Sequence, residues 1–88
     1  MLEDVFKVVG NSMKGAGLFD GMTVKVDKNR KATNGDKVVV MIDGKVFIKE
    51  YYFDGNREIF KSRNPEYPDI SEYDFAEILG VMSWFGRV

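Results

Sequence analysis

The sequence predicts an all-β domain of six or seven short strands, arranged as a curled sheet or a small barrel. Three observations support this fold class. Several short runs are rich in alternating or β-branched apolar residues, glycine-containing turns separate the runs, and no segment has the periodicity of a long helix. The chain has 88 residues, of which 44% are hydrophobic, so residues 1–88 are expected to form one domain.

The first half of the chain predicts three strands. Residues 4–9 are rich in β-branched side chains, and residues 22–27 alternate cleanly between apolar and polar. Between these strands, the glycine-rich residues 10–21 predict a loop with one helical turn near Leu18. Residues 37–43 are nearly all apolar, so we expect that strand to be buried on both faces.

The second half continues as hairpins. Asp43-Gly44 suits a two-residue type I′ turn, so the strand over 45–53 is expected to pair with the strand before it. A second turn at residues 54–56 returns the chain through residues 57–62. Residues 71–76 are expected to add one helical turn at most.

The last predicted strand, residues 75–88, is apolar on both sides. Ile78, Met82 and Trp84 fall on one side, and Leu79, Val81 and Phe85 fall on the other. Because a large exposed apolar surface is unusual on a monomer, each side needs a cover. The pattern alone leaves open whether the second cover is the same subunit or another one.

Composition excludes several classes of function. The net charge of −1 arises from 13 basic and 14 acidic residues, which predicts no direct contact with nucleic acid or an anionic membrane. No apolar run approaches the roughly 20 residues of a membrane span, and the start of the chain does not read as a signal peptide. The expected location is therefore the cytoplasm.

The chain contains neither cysteine nor histidine. A disulfide, a thiolate nucleophile, a Cys- or His-based metal site and a Ser-His-Asp arrangement are therefore excluded. Any serine nucleophile in this chain must take its general base from lysine, an acidic residue or an amine.

Ser12 is the candidate nucleophile. An apolar run stops at Gly10, and Ser12 follows two residues later at the start of the glycine-rich loop. A hydroxyl at such a strand end lies near backbone amides that glycine allows to approach closely. An ordinary turn has the same pattern, so the motif alone does not decide between the two readings.

Lys49 is the candidate base. Alternation along residues 45–53 puts Lys49 on one face with Phe47, Tyr51 and Phe53. Desolvation among aromatic rings lowers the pKa of a lysine, and a neutral amine can accept the proton of a serine hydroxyl. The alternative, which the pattern leaves open, is that the ammonium group reaches water across the rings.

Six short motifs occur in an order that covers almost the whole chain. They are Gly10-Asn11-Ser12-Met13, Leu18-Phe19-Asp20-Gly21, Asn34-Gly35-Asp36-Lys37-Val38-Val39-Val40, Val46-Phe47-Ile48-Lys49, Asn64-Pro65-Glu66-Tyr67 and Gly80-Val81-Met82. In this order the chain resembles the self-cleaving Ser-Lys peptidase domain of LexA-type repressors, phage repressors and UmuD-type mutagenesis proteins.

The resemblance implies a strongly bent, partly open sheet and a peptidase that uses no metal or other cofactor. It implies that Ser12 is the nucleophile and that a neutral Lys49 is the general base. It also implies that the backbone amides of Asn11 and Ser12 hold the oxyanion.

The resemblance further implies particular partners. Proteins of this family form homodimers largely through the C-terminal strand, here the region of Met82, Trp84 and Phe85. A RecA-type filament is expected to stimulate cleavage. In the alternative, UmuD-like reading, a processed subunit dimerises and binds a translesion DNA polymerase while its dyad is no longer used.

The family cleaves its own chain at a bond between a small residue and glycine, upstream of the strand that leads to the serine. The present sequence begins too late to contain either such a bond or the helix-turn-helix DNA-binding domain that often precedes it in the family. The Ala16-Gly17 pair follows the serine and is expected to be loop. We therefore expect the C-terminal domain or cleaved product of a longer protein.

Overall fold

The structure is a computed structural model that describes residues 3–87. Within these residues the chain forms one sheet of six antiparallel strands, in the order β1-β2-β6-β3-β4-β5. The strands are β1 (Glu3–Lys7), β2 (Thr23–Asp27), β3 (Lys37–Ile42), β4 (Lys45–Phe53), β5 (Glu58–Lys61) and β6 (Ala76–Gly86). The sheet is not closed into a barrel, which confirms the all-β prediction in its open form.

The last strand of the sequence lies in the middle of the sheet. The first part of β6 pairs with β3 and its second part pairs with β2, and each pairing contains one shift of register. Such shifts bend a sheet. Glycine is required at position 80, beside the paired strand β2, because a Cβ atom there would lie 2.5 Å from Cγ2 of Val26.

Strand β3 separates two hydrophobic cores. Val38, Val39 and Val40 have no exposed surface, which confirms the prediction that this strand is buried on both faces. Val39 packs with Val24 in the core beneath the glycine-rich loop, whereas Val38 and Val40 pack with Phe60 on the other side. The alternation of β3 therefore divides the apolar interior of this small chain.

The turns between the strands follow the predicted chemistry. Asp43 has a φ angle of 48° and Gly44 has a φ angle of 86°, as a type I′ turn requires at both central positions. This turn fixes the predicted hairpin of β3 and β4. Strand β5 is shorter than predicted and ends at Lys61, after which the Ser62 amide bonds to the Asp69 carboxylate. Phe60, inside β5, also forms an isolated bridge with Ile70.

The helical turn predicted near Leu18 forms earlier in the chain. A single 3₁₀ turn occupies Lys14–Ala16, while Leu18 is fully buried in the core instead. Residues 71–76 contain no helical turn, because the carboxylate of Asp43 accepts hydrogen bonds from the amides of Asp74 and Phe75. These bonds hold the backbone next to the first hairpin.

The ends of β1 and β6 also differ from the prediction. Strand β1 ends at Lys7 rather than Val9, and β6 ends at Gly86, whereas Val88, the predicted last residue, lies outside the described residues. None of the described segments is a helix with the length and hydropathy that a membrane crossing requires.

Candidate active site

Hydrogen bonds join the two ends of the loop that carries Ser12. The amide of Gly10 donates a hydrogen bond to Oδ1 of Asp20 at 2.8 Å, and the amide of Gly21 donates to the Val8 carbonyl at 2.9 Å. Met13, immediately after the serine, is buried in the first core. The loop is therefore fixed by its backbone and by an apolar anchor, with Ser12 half-buried at its start.

Ser12 lies at a small apolar pocket. The pocket has a volume of about 110 Å³ and is formed between the end of β1, the serine loop, β3 and β4. Its apolar walls include Phe6, Val8, Val39, Phe47 and Ile48. A small apolar side chain of an extended peptide is the kind of group that such a pocket admits.

A wider and more open depression lies elsewhere on the surface. Its volume is about 650 Å³, and its lining includes Asp43, Arg57 and Tyr73 but no residue of the Ser12 pocket. Because it is shallow and mostly polar, we place the candidate active site at the smaller pocket, which contains the serine.

Lys49 is buried rather than snorkelled. Only 4% of the residue is exposed, and Nζ lies 5.4 Å from the centroid of the Phe47 ring and 6.0 Å from that of Tyr67. Desolvation lowers the pKa of Lys49, and the charge of Asp69 partly opposes this shift. The burial contradicts the alternative that the ammonium group reaches water.

The hydrogen-bond partner of Lys49 is Ser62, at 2.7 Å between Nζ and Oγ. The pairing of Glu50 with Lys61 is the last of the β4–β5 ladder, and the same antiparallel register continued by one residue sets Ser62 opposite Lys49. No sequence pattern singled out Ser62. The register of the predicted hairpin around residues 54–56 contained the signal that would have found it.

Ser62, Arg63 and Asn64 follow β5. They connect β4, the strand that carries Lys49, to the loop that carries Ser12. The amide of Arg63 donates to the Ser12 carbonyl at 2.8 Å, and the Arg63 carbonyl accepts from the Gly15 amide at 2.7 Å. The side chain of Asn64 donates to the Asn11 carbonyl at 2.9 Å. Only glycine fits at position 15, because a Cβ atom there would overlap the carbonyl of Arg63.

A charged cluster reinforces this connection. Glu50 is buried, and its carboxylate accepts hydrogen bonds from Arg63 at 2.9 Å and from the Tyr52 hydroxyl at 3.0 Å. Lys37 lies 3.5 Å away on β3. Burial alone would raise the pKa of Glu50, but the hydrogen bonds from Tyr52 and Arg63, with the charges of Arg63 and Lys37, lower it.

The structure brings Ser12 and Lys49 to the same three-residue segment, Ser62, Arg63 and Asn64, without a hydrogen bond between them. Among residues 3–87, no hydrogen bond joins the Ser12 hydroxyl to Lys49, and the amides of Asn11 and Ser12 donate to no protein acceptor. The catalytic roles of these residues therefore stay predictions. The described residues also contain no cluster of three or more acidic side chains that could hold a metal ion.

The three residues expected at a dimer interface lie on β6. Met82 is half-buried against the first core, whereas Trp84 and Phe85 are 41% and 43% exposed. The Trp84 ring lies 5.1 Å from Nζ of Lys25, which covers part of it. The dimer itself stays a prediction.

Comparison with known proteins identifies the family. Residues 4–86 match the family model described as Peptidase S24-like. The chain belongs to this family of S24-like peptidases. It is 39% identical over 80 residues to a LexA repressor of Anaeromyxobacter sp. (strain Fw109-5), and this match covers 86% of the chain and 35% of that repressor. It is also 38% identical over 66 residues to a LexA repressor of Ectopseudomonas mendocina, and this match covers 75% of the chain and 32% of that repressor.

These matches establish a LexA-like peptidase domain and confirm the resemblance drawn from the six motifs. A LexA repressor of Shewanella piezotolerans is a further relative, 35% identical over 72 residues, or 82% of the chain and 34% of that repressor. The chain thus spans about a third of the length of the relatives that it matches.

Proposed function

We propose that this domain is the self-cleaving serine peptidase of a LexA-type transcriptional repressor of the DNA-damage (SOS) response. In this proposal Ser12 is the nucleophile and Lys49 is its general base. The observation that carries it is the burial of Lys49, since a lysine that is 4% exposed beneath aromatic rings, with a lowered pKa, is suited to being a neutral base.

The reaction begins when the Ser12 oxygen attacks the carbonyl carbon of the scissile peptide bond. The hydroxyl proton passes to the neutral amine of Lys49, and the amides of Asn11 and Ser12 stabilise the oxyanion that forms. In serine hydrolases one such donor contributes about 3–4 kcal/mol to the transition state.

The tetrahedral intermediate then collapses and breaks the carbon–nitrogen bond. The departing amine takes the proton from the Lys49 ammonium, which leaves an acyl-enzyme on Ser12. Water attacks this ester while Lys49, again neutral, accepts a proton from the water; the bond to Ser12 then breaks, and the Lys49 ammonium returns the proton to the Ser12 oxygen. The atoms balance as hydrolysis of one peptide bond without a cofactor.

The apolar pocket beside Ser12 supports a preference for small residues near the cleaved bond. A pocket of about 110 Å³ with mostly apolar walls suits a small aliphatic side chain. This limit agrees with the bond between a small residue and glycine that the family resemblance implies.

The test is cleavage in trans. The substrate is a protein that joins a segment containing an Ala-Gly bond to the Ser12→Ala form of this domain, and the enzyme is the present chain at pH 7 to 10. Cleavage is expected to rise with pH through the lowered pKa of Lys49. Lys45→Met, a change at an exposed lysine on the same strand, is expected to leave cleavage unchanged.

Two results would refute the proposal. One is that the wild-type chain cleaves no substrate at any pH in this range. The other is that Ser12→Ala or Lys49→Met enzymes cleave as fast as the wild type.

A second function, dimerisation, is favoured by one observation. Trp84 and Phe85 are large apolar side chains that remain more than 40% exposed on the central strand of the sheet. We propose that β6 pairs two copies of the domain, as the family resemblance implies. Sedimentation at micromolar concentration is expected to show a dimer that Trp84→Asp dissociates, and a monomeric wild type would rule it out.

The UmuD-like alternative keeps this dimer and gives the domain a translesion polymerase as partner. Stimulation by a RecA-type filament and a cytoplasmic location likewise remain predictions of the resemblance. The trans-cleavage assay separates the two readings, since an inert but dimeric domain would favour the UmuD-like one.

A further inference from the structure

The residue that touches Lys49 is not part of the proposed dyad. Ser62 lies directly beyond β5, and its hydroxyl is 2.7 Å from the lysine amine. The same hydroxyl lies 3.5 Å from the Pro68 carbonyl, and the Ser62 amide donates to Oδ1 of Asp69 at 3.3 Å. Ser62 therefore has three hydrogen-bond partners, namely the Lys49 amine, the Pro68 carbonyl and the Asp69 carboxylate.

A protonated lysine amine can only donate, so the 2.7 Å hydrogen bond runs from Nζ of Lys49 to Oγ of Ser62. The Pro68 carbonyl, 3.5 Å from Oγ, offers an acceptor for the single Ser62 proton, and a hydroxyl turned toward it presents an oxygen lone pair to the amine. A neutral amine has two N–H groups and one lone pair. An N–H of Lys49 donated to Ser62 therefore leaves the lone pair free for another hydroxyl.

We propose that Ser62 is a positioning residue that holds the Lys49 amine by one N–H, so that the amine's lone pair is directed to Ser12. This inference rests on the proposed Ser12–Lys49 chemistry. The link is short in the structure, because Arg63, the next residue, donates its amide to the Ser12 carbonyl. A shift of Ser62 therefore moves both halves of the dyad.

The surroundings of Lys49 leave few other groups that could hold the amine. Phe47 and Tyr67 present rings, and Asp69 acts on Lys49 through its charge. Glu50, the next residue on β4, is occupied by Arg63, Lys37 and Tyr52. Among the described residues, Ser62 is the hydrogen-bond partner of the amine.

Two variants test the role of this hydroxyl. Ser62→Ala removes it, and Ser62→Thr keeps it on a larger side chain. Ser71→Ala is the matched control, a half-buried serine in the segment that follows β5. For each protein, NMR of the Lys49 side chain measures its titration midpoint, and the trans-cleavage assay measures the plateau rate at alkaline pH, where the amine is already neutral.

In Ser62→Ala the buried ammonium loses its acceptor, so the midpoint of Lys49 is expected to fall below that of the wild type. The plateau rate is expected to fall by about tenfold to a hundredfold, because the lone pair is no longer directed. Ser62→Thr is expected to restore both quantities, and Ser71→Ala is expected to change neither. A general loosening of the site would instead let water in and raise the midpoint.

The readouts separate failure of this inference from failure of the proposed function. A midpoint that stays or rises in Ser62→Ala, or an unchanged plateau rate, overturns the role of Ser62 while wild-type cleavage stands. An inert wild type whose midpoint still falls on Ser62→Ala overturns the proposed function and upholds the Lys49–Ser62 contact.

Discussion

Replacing Lys49 with methionine is expected to stabilise the fold while it abolishes cleavage. Methionine has nearly the length of lysine and fills the same space among the rings of Phe47 and Tyr67. The change removes an ionisable group from a position that is 4% exposed. A gain in stability at the cost of function is common where a residue is kept for its chemistry.

Two opposing contributions determine whether Lys49→Met raises or lowers the free energy of unfolding. The change removes one hydrogen bond from a charged donor to Ser62, which contributes about 1.5–3 kcal/mol. It also removes the desolvation of a buried ion, which opposes folding by several kcal/mol. The second is larger, so we expect Lys49→Met to gain about 1 kcal/mol in free energy of unfolding at pH 7, or a Tm higher by about 4–8 °C.

The gain must also depend on pH. The unfolded chain has the ordinary lysine pKa of 10.5 and the folded chain a lower one, so between the two the unfolded chain binds more protons. Wild-type stability therefore rises with pH across this window, and the advantage of Lys49→Met shrinks. Below the window the advantage is constant.

Urea unfolding of the wild type, Lys49→Met and Lys45→Met at pH 7 and pH 10 measures these differences. Lys45 is exposed on the same strand, so its replacement is expected to change stability by less than about 0.5 kcal/mol. A loss of stability in Lys49→Met, or a gain that does not shrink with pH, would contradict the argument from desolvation.

Three further predictions concern the segment around the site. Glu50→Gln is expected to cost about 2 kcal/mol, because the Arg63 side chain loses its buried anion. That loss disappears as pH falls through the lowered pKa of Glu50, and thermal unfolding from pH 7 to pH 3 measures it. Gly15→Ala is expected to cost about 1–3 kcal/mol in urea unfolding, since the new Cβ overlaps the Arg63 carbonyl. Asp69→Asn removes a charge that raises the pKa of Lys49, so the rising limb of the pH–cleavage profile should move to lower pH; a move to higher pH would refute this.

Much of the fold follows from local sequence rules. Alternation and the Asp43-Gly44 turn predicted the hairpin of β3 and β4, and the unbroken apolar run predicted that β3 is buried on both faces. These features depend on neighbouring residues. The central place of β6 was not predicted, because the residues that it pairs with on β2 and β3 lie 54–63 and 34–43 residues away along the chain, and no local pattern indicates that pairing.

The candidate active site was likewise predicted only where neighbouring residues determine it. The motifs and the aromatic face that carries Lys49 were accessible from the sequence, but the alternation left open whether the amine is buried or reaches water, and the structure decided that point. Ser62 was not found, because its importance arises from the register of β4 and β5 continued past the end of the ladder. The link through Arg63 is a backbone contact, and no side-chain pattern indicates it.

The central claim is that Lys49 activates Ser12, although the hydroxyl it contacts in the structure is that of Ser62. Labelling with a fluorophosphonate, followed by peptide mass mapping, identifies the activated serine directly. We predict modification at Ser12 alone, at a rate that rises with pH in the wild type and is lost in Lys49→Met. Modification at Ser62, or modification of Ser12 at the same rate in Lys49→Met, would contradict the claim.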